Sequence, residues 1–298
     1  MKNVFRLLGI CAIGFASATL PVASAQTYKI VDYPGATSTL LIGGPNPQGT
    51  SVGIETTTGF QHGLILTAQG EFTVIDPPGS TLTSPNYINE ENVVVGNYLD
   101  ASGVTHGFIL NRGHYTKFDI PGALATALSS INLEGEMTGF TCLVDPTCEA
   151  PPYKSFTVST RGEITNFNPF GAISSFAAGV NLFGTVVGTY TDSGGNTHGY
   201  QLRNGNFTSN DFPGSILTFN GGINPQGEIV GFYTDTSNVT HSFLLKDGSY
   251  TGFDPPGATY SNAGGINLSN LIVGFFVDSK NVAHGYIRTP ATRIVQRH

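Results

Sequence analysis

Apolar residues along this chain come in short runs separated by clusters of Gly, Pro, Asn and Asp, and in none of them is the i, i+3, i+4, i+7 spacing of an amphipathic helix sustained. The stretch from Asp211 to Asp254 shows the pattern most clearly. A segment ending Gly222-Ile223-Asn224 meets the turn Pro225-Gln226-Gly227, and Glu228 to Tyr233 follows, rich in β-branched and aromatic residues. A polar turn from Asp235 to Asn238 leads to His241-Ser242-Phe243-Leu244-Leu245, then Lys246-Asp247-Gly248, then Tyr250-Thr251-Gly252-Phe253-Asp254 before Pro255-Pro256-Gly257. Four strands are predicted. In the fourth, apolar residues recur three apart (Tyr115 and Phe118, Ile164 and Phe167, Tyr250 and Phe253), which puts them on opposite faces and predicts burial of both.

The same order of words returns six times, about 43 residues apart. Its clearest word reads His62-Gly63-Leu64, His106-Gly107-Phe108, a degenerate Lys154-Ser155-Phe156, His198-Gly199-Tyr200, His241-Ser242-Phe243 and His284-Gly285-Tyr286. A four-stranded unit with two apolar faces needs a neighbour on each side, as a propeller blade has; a β-solenoid would leave two ends needing caps. Tyr28 to Asp32 matches the fourth segment, while the last copy stops after the third, at His284 to Arg288. The expected fold is therefore all-β: a six-bladed β-propeller of four-stranded blades, closed by the N-terminal strand as outer edge of the last blade. Thr289 to His298 reads as a further edge strand or a frayed end.

Lys2 and Arg6 precede an apolar run from Leu7 to Leu20 that ends at Ala23-Ser24-Ala25, the pattern of a secretory signal peptide over residues 1–25. The run is too short to span a bilayer, and one domain from 26 to 298 is expected, exported to the periplasm or medium. Without Lys2 and Arg6, 11 basic residues face 20 acidic ones, a formal charge of −9, which disfavours nucleic acid as partner. Cys142 and Cys148, the two cysteines left in the exported part, predict a loop-closing disulfide.

The combination of Ile88-Asn89, Val95-Gly96 and His106-Gly107-Phe108, repeated as Ile266-Asn267, Val273-Gly274 and His284-Gly285-Tyr286, resembles the HAF-type extracellular repeat proteins of bacteria. The resemblance covers the mature chain. Gly or Ser stands where that family has Ala, and the chain contains no Trp. It implies export and a repeat-built β architecture, with no chemistry attached.

Candidate chemistry is itself mostly repeated. Asp100 and His106, Asp192 and His198, Asp235 and His241, and Asp278 and His284 bracket the second polar turn. Such a pair suits a general base with its orienting carboxylate, or metal ligands, but a copy in four blades favours a structural network in which a buried His bonds a carboxylate or backbone group. A second acid precedes each Pro-containing turn (Asp32, Asp76, Asp119, Asp211, Asp254, with Asn168 in the odd repeat), as a turn cap or, together with the first acids, as a calcium site. No catalytic residue, metal ligand or cofactor is otherwise assigned. The odd repeat swells into a proline-rich loop from Cys142 to Tyr153, and its Asp145, Glu149, Tyr153 and Lys154 are the candidate ligand-binding residues, against decay of one repeat as the bland reading. Tyr33, Tyr87, Tyr98, Tyr190, Tyr233 and Tyr260 fall in or near turns, as blade packing or as platforms for sugars.

These features predict a monomeric, non-catalytic binding or surface-interaction module for a glycan or an extracellular protein. The alternatives are an extracellular polysaccharide hydrolase or lyase acting at the central opening, and a structural envelope component.

Overall fold

The computed structural model describes residues 26–57 and 59–291; the expected signal peptide, Thr58 and residues 292–298 of the tail lie outside the described residues. Among those described, strands form six four-stranded antiparallel units, each joined by tight turns. Unit 1 runs through Ser38–Gly43, Ser51–Thr57, Phe60–Leu66 and Phe72–Ile75. Unit 2 comprises Ser80–Ile88, Val94–Asp100, Thr105–Asn111 and His114–Phe118. Unit 3 comprises Ala125–Ile131, Met137–Cys142, Tyr153–Val158 and Ile164–Phe167. Unit 4 comprises Ser174–Val180, Val186–Thr191, Thr197–Arg203 and Asn206–Ser209. Unit 5 comprises Leu217–Ile223, Ile229–Thr234, Thr240–Lys246 and Ser249–Phe253. Unit 6 takes Tyr260–Ile266, Ile272–Val277 and Ala283–Thr289 from the end of the chain, and its outer strand, Thr27–Val31, from the beginning. That strand pairs from Thr27 with Thr289 to Val31 with Gly285. Units 1 and 2, and units 4 and 5, are also stitched by one parallel residue pair each, Gln61 with Leu82 and Thr197 with Leu217.

Burial falls from the first strand of a unit to the last. Ala125–Ile131 and Met137–Cys142 are buried at every position, whereas outer strands carry mostly exposed residues. The expectation that outer strands bury both faces fails most clearly at Ile164, which is 38% exposed. Its strand has one sheet neighbour and lies at the rim, so only part of its surface meets another unit.

Two of the repeated words explain each other. In the second strand, the Gly of Val-Gly sits directly opposite the aromatic of the third strand: Gly96 faces Phe108, Gly188 faces Tyr200, Gly231 faces Phe243 and Gly274 faces Tyr286. A Cβ on Gly188 would lie 2.0 Å from the Phe176 carbonyl oxygen and 2.8 Å from the Tyr200 ring. Only hydrogen fits there, and the four aromatics opposite are fully buried. Leaving the ring no void is what makes this the core of each unit.

The Ile-Asn word closes the ring of units. Each Asn accepts backbone N–H groups ahead of it, as Asn89 Oδ1 does from Glu91 (3.0 Å) and Val93 (2.9 Å), and so caps the first turn. Its Nδ2 then donates to the backbone carbonyl of the next unit's Asn. The bonds run from Asn46 to Asn89 (3.3 Å), Asn89 to Asn132 (3.2 Å), Asn132 to Asn181 (3.0 Å) and Asn181 to Asn224 (3.2 Å). Asn224 donates to Asn267 (3.3 Å), and Asn267 returns to Asn46 (3.2 Å). All six asparagines are buried.

Asn224 is 0% exposed and also bonds the buried Glu228 carboxylate at 2.6 Å. Asn224→Ala leaves the Glu228 amide unpaired inside the protein and takes one donor each from the Glu228 carboxylate and from the Asn267 carbonyl, which keeps the Asn270 N–H. We expect a loss of about 3 kcal/mol in urea unfolding of residues 26–298; a loss below about 0.5 kcal/mol would contradict the role assigned to this ring.

Candidate binding face and axial cavity

One end of the ring gathers the turns between second and third strands and the connections between units. In five units a histidine of the third strand lies there against a carboxylate, and in four of them between two. Its Nδ1 bonds the acid before the Pro-containing turn: His62 to Asp76 (2.7 Å), His106 to Asp119 (3.0 Å), His198 to Asp211 (2.8 Å), His241 to Asp254 (2.7 Å) and His284 to Asp32 (2.8 Å). The acid of the preceding turn approaches Nε2, at 3.2 Å for Asp100 and His106, 3.4 Å for Asp192 and His198, 3.6 Å for Asp235 and His241, and 3.7 Å for Asp278 and His284. Both repeated acids of a unit thus meet on one imidazole. The turn acid also accepts backbone amides, as Asp235 does from Ser237 and Val239. Backbone hydrogen bonds hold Asp192, Asp235 and Asp278 below the usual carboxylate range, and for Asp100 the Ser102 hydroxyl is the leading cause. Among the described residues, no group of three or more His, Cys, Asp or Glu is placed to hold a metal ion.

The tyrosines near these turns have a related place. Tyr98, Tyr190 and Tyr233, with Phe276 in unit 6, lie over His106, His198, His241 and His284 at ring separations of 5.1 to 5.4 Å. Tyr233 also stacks on Phe212 at 3.6 Å. These faces are occupied by protein, and Tyr33 likewise packs edge-on against Phe72. Unit 1 departs from the pattern: the polar run Glu55-Thr56-Thr57-Thr58 reads in sequence as its second polar turn, yet Glu55 lies in the second strand, 2% exposed, with Oε2 unpartnered and its carboxyl pushed up by burial.

Unit 3 has no such network. Cys142 and Cys148 are bonded, and the turn they close is docked sideways on unit 2, where the Thr105 amide donates to Pro146 O (2.8 Å) and its hydroxyl to Thr147 O (2.7 Å). Asp145 is consumed internally by Thr147 and Glu149, and the Thr147 hydroxyl leads in lowering its carboxyl. Tyr153 buttresses the loop, its ring against Phe140 at 5.0 Å and its hydroxyl donating to Cys148 O. Of the four candidate ligand-binding residues, Glu149 and Lys154 remain exposed. Beside them stand two residues the sequence did not single out, Leu143 (50% exposed) and Val144 (63%).

A second asymmetry follows the inter-unit turns. In units 1, 2 and 6 the residue at the entrance to the first strand is Thr37, Thr81 (second residue of its strand) or Thr259, whose hydroxyl donates to a second-strand carbonyl. In units 3, 4 and 5 it is Leu124, Ile173 or Ile216, each about half exposed.

At the axis lies a cavity of about 190 Å³. Each innermost strand carries a register shift, and the residue it leaves unpaired lines the cavity: Ile42, Asn86, Ser129, Ala178, Gly221 and Gly264. Phe176, Phe219, Phe275 and Tyr87 add aromatic wall, and Asn262 an amide. None of the lining residues is a carboxylate, imidazole, ammonium or guanidinium group.

No family model matches the chain, and no curated protein matches it. Solved structures do. A putative TolB from Agrobacterium tumefaciens aligns with 91% of this chain and 99% of its own at a TM-score of 0.59 and 11% identity. Virginiamycin B lyase from Staphylococcus aureus, bound to quinupristin, aligns with 89% of this chain and 100% of its own, at 0.52 and 9%. The lectin of Aleuria aurantia, described as a six-bladed β-propeller with a novel fucose recognition mode, aligns over 90% and 95%, at 0.50 and 10%. The fold is that of the β-propellers.

His198 provides a test of the histidine network. Burial works against its protonation, but the hydrogen bond and charge of Asp211, with Asp192, outweigh it and raise the imidazole above its ordinary value near ~6.5. The contribution to stability is then complete below that value and disappears as pH rises through the folded-state value. An NMR titration is expected to place the His198 midpoint above that of a model imidazole and to show it falling in Asp211→Asn. A midpoint unmoved by that substitution would remove Asp211 as the cause.

Proposed function

We propose that this chain is an exported six-bladed β-propeller, built on the HAF-type repeat, that works without catalysis as a binding module for an extracellular protein. The single observation that carries this reading is the uneven distribution of exposed apolar side chains on the turn face: Leu143 and Val144 on the stapled loop, and Leu124, Ile173 and Ile216 at one position in three consecutive units. Exposed apolar groups rimmed by polar ones are what a protein partner covers. The six units, the outer strand from the N-terminus and the closed asparagine relay support the blade count. The leader-like residues 1–25 and the disulfide support export.

Glycan recognition is the second reading, favoured by the likeness to a lectin. A polysaccharide hydrolase or lyase at the central opening has less support, because glycoside hydrolysis generally draws on two carboxyl groups and the axial lining offers none. The repeated carboxylates are engaged by imidazoles and turn amides, so binding is proposed to need no calcium.

The test uses labelled residues 26–298 and intact cells of the exporting strain. Saturable binding that survives a chelator and periodate but is lost after protease treatment of the cells is the expected outcome, with Leu143→Ser/Val144→Ser weakening it at least about tenfold. Loss on periodate alone would shift the partner to a glycan. Absence of saturable binding would leave the structural envelope role.

A further inference from the structure

The axial cavity is chemically unlike the face above it. Its walls include the rings of Phe176, Phe219 and Phe275, and Phe219 is held in place by stacking on Phe232 at 4.9 Å and 9°. The polar side chains of the cavity are Asn86 and Ser129, neighbours in the ring of unpaired strand residues, with the Asn262 amide on the opposite side. Asn86 donates both hydrogens of its amide, to Asn97 Oδ1 and to Leu128 O at 2.8 Å each, which leaves its own Oδ1 as an acceptor only. Next to it in the ring of unpaired strand residues is Ser129, 6% exposed, whose Oγ has no hydrogen-bond partner. Across the cavity from these two units the corresponding residues are Gly221 and Gly264, which add no side chain.

We propose that this cavity is a binding site for an uncharged, ring-sized organic molecule with an apolar face and a hydroxyl group on one edge, with phenols as the simplest members. The ring packs against the phenylalanines, and the hydroxyl donates to Asn86 Oδ1 while accepting from Ser129 Oγ, which is buried in the wall and reaches the ligand by rotation about Cα–Cβ. An ionised ligand is excluded because no charged lining group would compensate its desolvation. This site is independent of the protein-binding face: the first concerns the axis, the second the exposed turns.

The probe is 4-fluorophenol, titrated into residues 26–298 and read by 19F NMR. Saturable one-site binding is expected, with fluorobenzene about fivefold weaker for want of the hydroxyl and 4-fluorobenzoate not bound. Ser129→Ala should weaken 4-fluorophenol part of the way toward fluorobenzene, the bond to Asn86 remaining, and leave fluorobenzene unchanged. Ala178→Leu, which fills the floor, should abolish binding of both. Should that variant fail to fold, contacts from the bound fluorine to the Phe176 and Phe219 ring protons in the unaltered protein decide the location. Lack of saturation up to the solubility of the probe, equal binding of the benzoate, indifference to Ser129→Ala, or fluorine contacts elsewhere would each overturn the proposal.

Discussion

The hydrogen bond from each buried asparagine to the main chain of the next unit is the interaction on which the architecture depends. A four-stranded sheet with two faces to cover has no stable isolated form, and units packed only through apolar contact would be free to slide. The asparagine removes that freedom. It folds its own turn with the acceptor half of the amide and measures the position of its neighbour with the donor half, so local and long-range order share one side chain. Because the sixth bond returns to Asn46, an error in any unit would have to be absorbed by all of them.

Symmetry made secure in this way leaves individual turns free to change. Four units spend their histidine and two acids on tying turns together, unit 1 spends His62 and Asp76, and unit 3 spends a disulfide, a docked loop and the hydroxyl of Thr105 on the same task. The substitution leaves a differently shaped and more apolar surface on the turn face without disturbing the inner strands. The bulges near the axis act similarly. They hold six side-chain positions outside the ladder, where Ile42, Asn86 and Ser129 differ from Gly221 and Gly264 at no cost to pairing.

Periodicity and turn residues made the strands, their order and the exchange of the N-terminal strand legible in the sequence. Contacts across the ring were less so. Ile-Asn is a visible word, but nothing in it tells that the amide reaches another unit, because the partner is a backbone carbonyl 43 to 49 residues away in five bonds and 221 in the sixth, with no side-chain signature. The acids were visible too, yet which of them shares a histidine depends on how turns curl, and both do. Glu55 shows the limit of polarity as a guide: its carboxylate reads as a turn residue, and the strand it occupies buries it. Asn86 and Ser129 sit in apolar strands where alternation shifts at the bulge, so their inward direction is set by one extra residue rather than by pattern.

The outer strand of the last unit has a consequence for how the molecule is made. Thr27–Val31 is synthesised well before its partner, which lies some 250 residues later, as the His284 to Asp32 bond shows with a separation of 252. Until Ala283–Thr289 arrives, unit 6 is incomplete and Thr27–Val31 has no sheet to join. Intermediate lengths of chain therefore present unpaired strand edges, the state in which all-β proteins are most prone to pair with the wrong molecule. Closure is a late, non-local event, slow by the topology it must complete, and it makes the arrival of the last strand the step that separates a sticky nascent chain from a sealed particle.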